Sequence, residues 1–317
     1  MRVVFFGTPE PAVVALDALF ASAHDIVAVV TQPDRPRGRS GTPSPSPMKE
    51  RAAAAGVPVL QPETPRDDGF ADALSTHRPD VCTVVAYGHI LPREVLAVPP
   101  KGFVNVHFSL LPRYRGAAPV QRALMAGETT SGVTTFLLEP TLDTGPVLMS
   151  EWEPIEPEDT AGSLMERLAV VGAGVLVRTL DALEAGTLEP SPQDPAEATP
   201  APKVRPEDGE IDWRGRASDI ANLVRGLNPA PGAYTTFRGK RLKVWRARAT
   251  ADAEPGGGPG TLEAGAHGGA AVRTGEGTLE LVEVQLEGGK RLDAAAFVRG
   301  QRIDFGREVL GDRAPLP

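Results

Sequence analysis

The sequence predicts an α/β protein. It comprises a Rossmann-like N-terminal domain over a mostly parallel sheet, a linker, and a smaller β-rich C-terminal domain. Three observations carry this reading. The chain opens with RVVFFG, then TPEPAVVALDALFASA at helical spacing, then DIVAVVTQ, a strand–helix–strand order that recurs downstream. At 317 residues it is long enough for two cores. Prolines at 190, 192, 195, 200, 202 and 206 mark an extended segment between two patterned regions. The expected division is a catalytic domain over 1–186, a linker over 187–206 and a C-terminal domain over 207–317.

The turn after the first strand, GTPEP, lacks the GxGxxG spacing, which counts against a dinucleotide fingerprint. After the second strand comes PDRPRGRSGTPSPSPMKE, too broken by Pro, Gly and Ser for a helix or a strand. It reads as a long exposed loop with Arg35, Arg37 and Arg39 as a cationic tip. Two readings stand for it, a contact for an anionic partner and a surface loop of no special role. A helix over 48–55, a strand over 57–60 and a helix over 67–77 continue the alternation. The strand VCTVVA then runs into YGHILP. Ligands of open α/β sheets collect at the carboxyl ends of strands, so Ala86, Tyr87, Gly88 and His89 lie where backbone groups grip a flat heterocycle.

The stretch FVNVHFSLLPRYRG, residues 103–116, is the focus of the chain. On a strand, side chains two apart share a face, which puts Asn105 beside His107 and turns Val104, Val106 and Phe108 the other way. An amide donates to a developing oxyanion, and an imidazole with a reference pKa of about 6.5 moves protons near neutrality. The pair suits acyl transfer, although an isolated Asn-x-His also fits two polar groups at a strand end. After a helix over AAPVQRALMAG, the segment TTFLLEPTLDTGPVLMSEWE reads as two strands around a turn with Asp143, Thr144 and Gly145. A carboxylate there orients His107 if the turn reaches it, and is otherwise a turn former.

Composition narrows the function classes. The hydrophobic share of 41% and charged share of 23% are those of an ordinary globular protein. No run of about eighteen apolar residues exists and the N-terminus turns polar too soon for a signal peptide. A cytoplasmic protein without a membrane span is therefore expected. The lone Cys82, inside VCTVVA, reads as a buried, inert thiol. The net charge of -8 argues against a generic nucleic-acid binder. Yet residues 1–202 hold 15 basic against 25 acidic side chains, and 203–317 hold 18 against 16. In the more basic part, RGKRLKVWRAR places Arg238, Lys240, Arg241 and Lys243 near a tryptophan. The segment reads either as a solvated strand in a small barrel or as a phosphate-contacting edge. A helix over 218–227, strands over 233–286 and a final helix in DAAAFVRGQ complete the chain.

The combination FFGTP, QPDRPRGR, PSPMK, AYGHILP, NVHFSLLPRYRGAAPVQRA, LDTG, IDW and NPAPGAY resembles the folate-dependent formyltransferase family. Within it, IDW and NPxPGAY point to the methionyl-tRNA formyltransferases. The resemblance spans nearly the whole chain. It implies formyl transfer from 10-formyltetrahydrofolate to initiator methionyl-tRNA without a metal, with protonated His107 assisting Asn105 on the oxyanion. Asn105, His107 and Asp143 match the catalytic triplet. Ala86, Tyr87, Gly88, His89, Ile90 and Leu91, with Ser109, Leu110, Leu111 and Pro112 and with Leu142, Thr144 and Gly145, match the surroundings of the folate. The loop 33–47 corresponds to the insertion that meets the tRNA acceptor end, with Arg39 and Arg37 as its candidate contacts. The C-terminal domain corresponds to an OB-like barrel in which Arg238, Lys240, Arg241 and Lys243 are candidate tRNA contacts. A monomer is expected.

Three features depart from the family pattern. Phe108 stands where glycine is usual, Ala230 where tryptophan is usual, and residues 40–42 replace basic ones. Formylation of a small amine, such as an amino sugar or glycinamide ribonucleotide, and hydrolysis of the formyl donor are the alternative activities. A noncatalytic folate- or RNA-binding module is the alternative class.

Overall fold

The computed structural model describes residues 1–36, 43–250 and 257–311. The chain divides into two compact units. The first takes Met1–Pro119, Thr130–Pro154 and Met165–Pro202, and the second takes Val120–Thr129, Ile155–Leu164 and the chain from Lys203.

In chain order the elements are β1 (Arg2–Gly7), α1 (Glu10–Phe20), β2 (Asp25–Val30), the two-residue strands β3 (Arg35–Pro36) and β4 (Pro43–Ser44), α2 (Pro47–Ala54), β5 (Val59–Leu60), α3 (Phe70–Thr76) and β6 (Val81–Val85). They continue with α4 (Arg93–Leu96), β7 (Phe103–His107), α5 (Pro119–Met125), β8 (Thr130–Leu137), β9 (Val147–Pro154) and α6 (Ala161–Ala185). The main sheet runs β5-β2-β1-β6-β7-β8-β9. Its first five strands are parallel, and β8 and β9 each pair antiparallel. Strand β1 beyond Arg2 and strand β6 are buried on both faces and mostly apolar, as parallel strands covered by helices must be. Phe6 anchors one face, edge-on to Phe70, Tyr87 and Phe103 at centroid distances of 6.3, 5.3 and 5.3 Å. The chain passes from one side of β1 to the other between β5 and β6, which places a crevice at the carboxyl ends of β1, β6 and β7. Cys82 is fully buried and burial pushes its thiol pKa up, as an inert core residue requires. No helix among the described residues is long and apolar enough to cross a membrane.

Helix α3 starts at Phe70 rather than at residue 67. The Asp67 carboxylate accepts the Thr64 N–H in a turn, and Gly69 enters the helix at φ 80°, outside helical geometry.

The second unit adds α7 (Ala217–Gly226), β10 (Ala233–Phe237), β11 (Lys240–Thr250), β12 (Leu262–Ala264), β13 (Ala270–Arg273), β14 (Thr278–Leu286), β15 (Leu292–Asp293) and α8 (Ala294–Gln301). Its antiparallel, OB-like sheet runs β10-β11-β14-β13-β12, with β15 on β14. Asp293 caps α8 by accepting the Ala296 N–H at 2.8 Å. Simple alternation along β11 would put Arg246 in the core with Leu242 and Val244. Irregular register on either side of Arg246 prevents this. Leu242 and Val244 are fully buried, whereas Arg246 turns out to Glu158, Nη2 to Oε2 3.0 Å.

Strand β7 alternates as its sequence requires. Val106 and Phe108 face α6 at Gly172, where an added Cβ would lie 3.0 Å from Val106 Cγ1 and 3.5 Å from Phe108 Cε1. Phe108 therefore fills space against a helix that approaches through a glycine. Phe108→Ala should lower the unfolding free energy by about 3–5 kcal/mol, read as a lower denaturant midpoint at unchanged slope. A loss below about 1 kcal/mol would contradict this packing role.

Candidate active site

A cavity of about 490 Å³ lies in the first unit, at the carboxyl ends of its central strands. Pro9 before α1 and Pro11 in its first turn contribute, the segment after β6 contributes Ala86 through Leu91, and β7 with the residue that follows it contributes Asn105 through Phe108. Gly116 and Ala117, Leu142 and Asp143, and Met165 complete much of the wall. Ile90 and Leu142 are apolar yet more than half exposed, an unusual cost in water that a ligand with an apolar body relieves.

Asn105 and His107 share one face of β7, as the two-residue period predicts. The Asn105 amide borders the cavity and has no side-chain partner among the described residues. His107 is held on both sides. Its Nε2 lies 2.8 Å from the Tyr114 main-chain oxygen, and its Nδ1 lies 3.8 Å from Asp143 Oδ2. A carbonyl only accepts, so Nε2 carries the proton and Nδ1 is the nitrogen left to gain or lose one. Only 6% of the residue is exposed. Burial pushes its pKa below 6.5, and the nearby Asp143 carboxylate and the Tyr114 carbonyl pull it partly back. The ring is thus neutral at pH 7.

Asp143 comes from the turn between β8 and β9, with φ 52°, and its Oδ2 accepts the Gly116 N–H at 2.8 Å. Two close approaches fix this geometry. A Cβ on Gly145 would lie 1.8 Å from the Leu137 carbonyl oxygen, and one on Gly116 would lie 2.6 Å from the Ala201 carbonyl oxygen. Both positions demand glycine.

The folate-surrounding residues separate into two groups. Ala86, Tyr87, Gly88, His89, Ile90, Leu91 and Leu142 border the cavity. Tyr87 does so beside a buried ring, whose pKa burial pushes up to about 12, and its carbonyl accepts Gln32 Nε2 at 2.8 Å. The main-chain N–H groups of residues 88–91 donate to no partner among the described residues. Unpaired backbone groups beside apolar walls fit a flat heterocycle with a donor–acceptor edge. Ser109, Leu110, Leu111 and Pro112 do not border the cavity, and neither do Thr144 and Gly145. They build the turns instead: Ser109 Oγ donates to the Arg113 carbonyl at 2.7 Å, and the Leu111 N–H donates to Thr134 Oγ1 at 3.1 Å.

The proposed tRNA contacts also divide. Arg37 and Arg39, with the departures at 40–42, lie outside the described residues. Arg238 is committed to Glu308, Nε to Oε2 2.9 Å, and to the Gln301 carbonyl, Nη1 to O 3.1 Å. Lys240 and Arg241 are exposed on β11, with Arg241 over the Tyr234 ring at 4.1 Å. Lys243 lies over the Trp245 ring at 4.9 Å and donates to the Pro231 carbonyl at 2.9 Å. Among the described residues no group of three or more His, Cys, Asp or Glu is arranged to hold a metal ion.

Sequence reasoning passed over Gln193. It sits in the proline-rich segment 187–206, where only proximity in the fold reveals that its amide reaches the Asp143 turn, Nε2 to Asp143 O 2.9 Å. Gly145→Ala should destabilise the first unit by about 1–3 kcal/mol, because the added methyl group collides with main chain. Denaturant unfolding measures this, and an unchanged midpoint would contradict the close approach at Leu137.

Comparison with known proteins places the chain in a family. Residues 1–180 match the formyl transferase family and residues 203–302 match its C-terminal domain family. The chain is 50% identical over 310 residues to methionyl-tRNA formyltransferase of Streptomyces coelicolor, covering 98% of this chain and 99% of that protein. It is 48% identical over 311 residues to methionyl-tRNA formyltransferase of Moorella thermoacetica, covering 98% and 99%. Among solved structures, HypX from Aquifex aeolicus in complex with tetrahydrofolic acid aligns with a TM-score of 0.65 at 19% identity. That alignment covers 94% of this chain and 47% of that one, a likeness of fold. With two family matches and full-length relatives near half identity, the chain belongs to the methionyl-tRNA formyltransferase family.

Proposed function

We propose that this chain transfers the formyl group of 10-formyltetrahydrofolate to the amino group of initiator methionyl-tRNA, giving N-formylmethionyl-tRNA. The observation that carries the reading is one wall of one cavity. It holds an amide with no side-chain partner among the described residues, a buried imidazole and a carboxylate, at Asn105, His107 and Asp143. The unpaired main chain at 88–91 and the apolar lip of Ile90 and Leu142 would hold the folate, which supplies the one-carbon unit when bound.

The chain's own residues then have distinct tasks. Asn105 donates a hydrogen bond where negative charge grows on the formyl oxygen. Neutral His107 takes a proton from the attacking amine at Nδ1, since Nε2 is already committed to the Tyr114 carbonyl. The imidazolium so formed faces Asp143, whose charge stabilises it, and then yields its proton to the leaving group. Asp143 keeps its place because Gly116 donates to the same carboxylate oxygen.

The domain assignment accompanies this reading, with 1–186 catalytic, 187–206 a connecting segment and 207–317 a tRNA-binding domain. Lys240, Arg241 and Lys243 are the cations we assign to tRNA phosphates, and Arg238 is a structural partner of Glu308. The protein acts as a cytoplasmic monomer, free of membrane.

Formyl transfer to charged initiator tRNA tests the reading directly, with amino sugars, glycinamide ribonucleotide and water as competing acceptors. Preference for a small acceptor would overturn the substrate assignment. His107→Ala and Asn105→Ala should each lower kcat by about 10²–10³-fold, and retained activity would remove them from the mechanism. Because the folded pKa of His107 lies below 6.5, kcat/KM should hold above that pH and fall as pH drops through the folded value. Asp143→Asn removes the charge that raises this pKa, so the acid limb of its residual activity should move to lower pH. A limb that stays in place would contradict the His107–Asp143 coupling.

Affinity for tRNA should weaken with salt. Replacing Lys240, Arg241 or Lys243 by alanine should reduce the log–log salt slope by about one each, whereas Arg238→Ala should not. The opposite pattern would exchange their roles.

A further inference from the structure

Gln193 joins the two loops that hold His107, and it does so through all of its side-chain hydrogen-bonding groups. Its Nε2 donates to the Asp143 carbonyl at 2.9 Å and to the Gly145 carbonyl at 2.7 Å. Its Oε1 accepts from Arg115 Nε at 3.0 Å and Nη2 at 2.6 Å. Arg115 adjoins Tyr114, whose carbonyl fixes Nε2 of His107, and Asp143 is the carboxylate beside Nδ1. One amide therefore ties the turn behind one ring nitrogen to the loop behind the other.

The backbone around Gln193 is itself anchored on both sides. Ser191 exchanges two main-chain hydrogen bonds with Val147, at 2.8 and 2.9 Å. Thr199 Oγ1 accepts the Tyr114 N–H at 2.8 Å and the Thr199 carbonyl accepts the Arg115 N–H at 2.8 Å. The Ala201 N–H returns to the Arg115 carbonyl at 2.6 Å. Gln193 thus has little freedom to release either loop. The chemistry of the amide matters too. Only a group that donates twice on one atom and accepts on the other satisfies two carbonyls and a guanidinium together. A carboxylate meets the guanidinium but faces both carbonyls with like partial charge.

We propose that Gln193, with Arg115, is a positioning residue for the His107–Asp143 pair, setting the distance at which the Asp143 charge acts on Nδ1. The proposal rests on the catalytic reading of that pair. It assigns a role in the reaction to a residue of the segment that otherwise reads as a connection between domains. Asp143 has φ 52°, a conformation that a non-glycine residue holds only when its surroundings fix it, and Gln193 binds its carbonyl directly.

The test measures kcat, KM for the folate donor, the pH dependence of kcat/KM and the thermal midpoint. The proteins are wild type, Gln193→Ala, Gln193→Glu, Arg115→Ala, the Gln193→Ala/Arg115→Ala double variant and Asp143→Asn. Gln193→Ala should lower kcat about tenfold or more with a smaller change in KM. It should also move the acid limb to lower pH, in the direction of Asp143→Asn. Gln193→Glu should lower kcat likewise despite its similar size, which keeps the test valid if the alanine variant folds poorly. The double variant should fall short of the product of the two single losses, because both remove the same link. A Gln193→Ala enzyme with wild-type kcat and acid limb would overturn the proposal, as would losses that multiply independently. Should Asp143→Asn itself keep full activity and an unmoved limb, the catalytic reading fails. Should Asp143→Asn be crippled while Gln193→Ala is not, only this inference fails.

Discussion

The hydrogen bond from His107 Nε2 to the Tyr114 carbonyl decides the chemistry of the site. A main-chain carbonyl never donates, so the bond fixes the tautomer before any substrate arrives and leaves Nδ1 bare. Burial then favours the neutral ring, and in the proposed reaction the carboxylate 3.8 Å from Nδ1 would meet the charge that proton transfer creates. Each condition needs the others. Without the carbonyl the ring could present a proton where a base is required. Without burial it would be half charged near pH 6.5, and without Asp143 the imidazolium would have no compensating charge in a low-dielectric wall.

That bond in turn depends on chain segments far apart in sequence. The loop after β7 curls back so that its Tyr114, at φ 60°, turns a carbonyl toward a ring seven residues earlier. The turn between β8 and β9 brings Asp143 in from the antiparallel side of the sheet, and glycine at 145 lets it pack on the Leu137 carbonyl. The segment 191–202 lies across both and holds them through Gln193, Thr199 and Ala201. The parallel part of the sheet holds Asn105 and His107 on β7, and the irregular segments bring in Asp143 and the contacts that fix the ring.

Much of this was legible in the sequence, and for physical reasons. Asn105 and His107 share a face because a strand has a period of two, and Phe108 packs on α6 at Gly172 while also bordering the cavity. The carboxyl-end rule placed Ala86 through His89 on the cavity wall, and the family resemblance extended this to Leu91. Other features depend on contacts that no local pattern encodes. Gln193 sits among prolines, and nothing in its neighbours marks it as a partner of Asp143. The motif residues Ser109–Pro112 are as regular a signal as Asn105 and His107, yet they shape the loop rather than line the cavity. Arg238 carries the same charge as Lys240, and only the fold reveals that Glu308 occupies it. Alternation failed along β11 where the register shifts around Arg246, a bulge that a hydrophobic pattern does not announce.

The account stands or falls on one protonation pattern. Nitrogen-15 NMR of histidine-labelled protein, with His107 assigned by comparison with His107→Ala, reads it without reference to catalysis. The account predicts a neutral ring at pH 7 with the proton on Nε2 and Nδ1 bare. A proton on Nδ1 with Nε2 bare, or an imidazolium at pH 7, would contradict it.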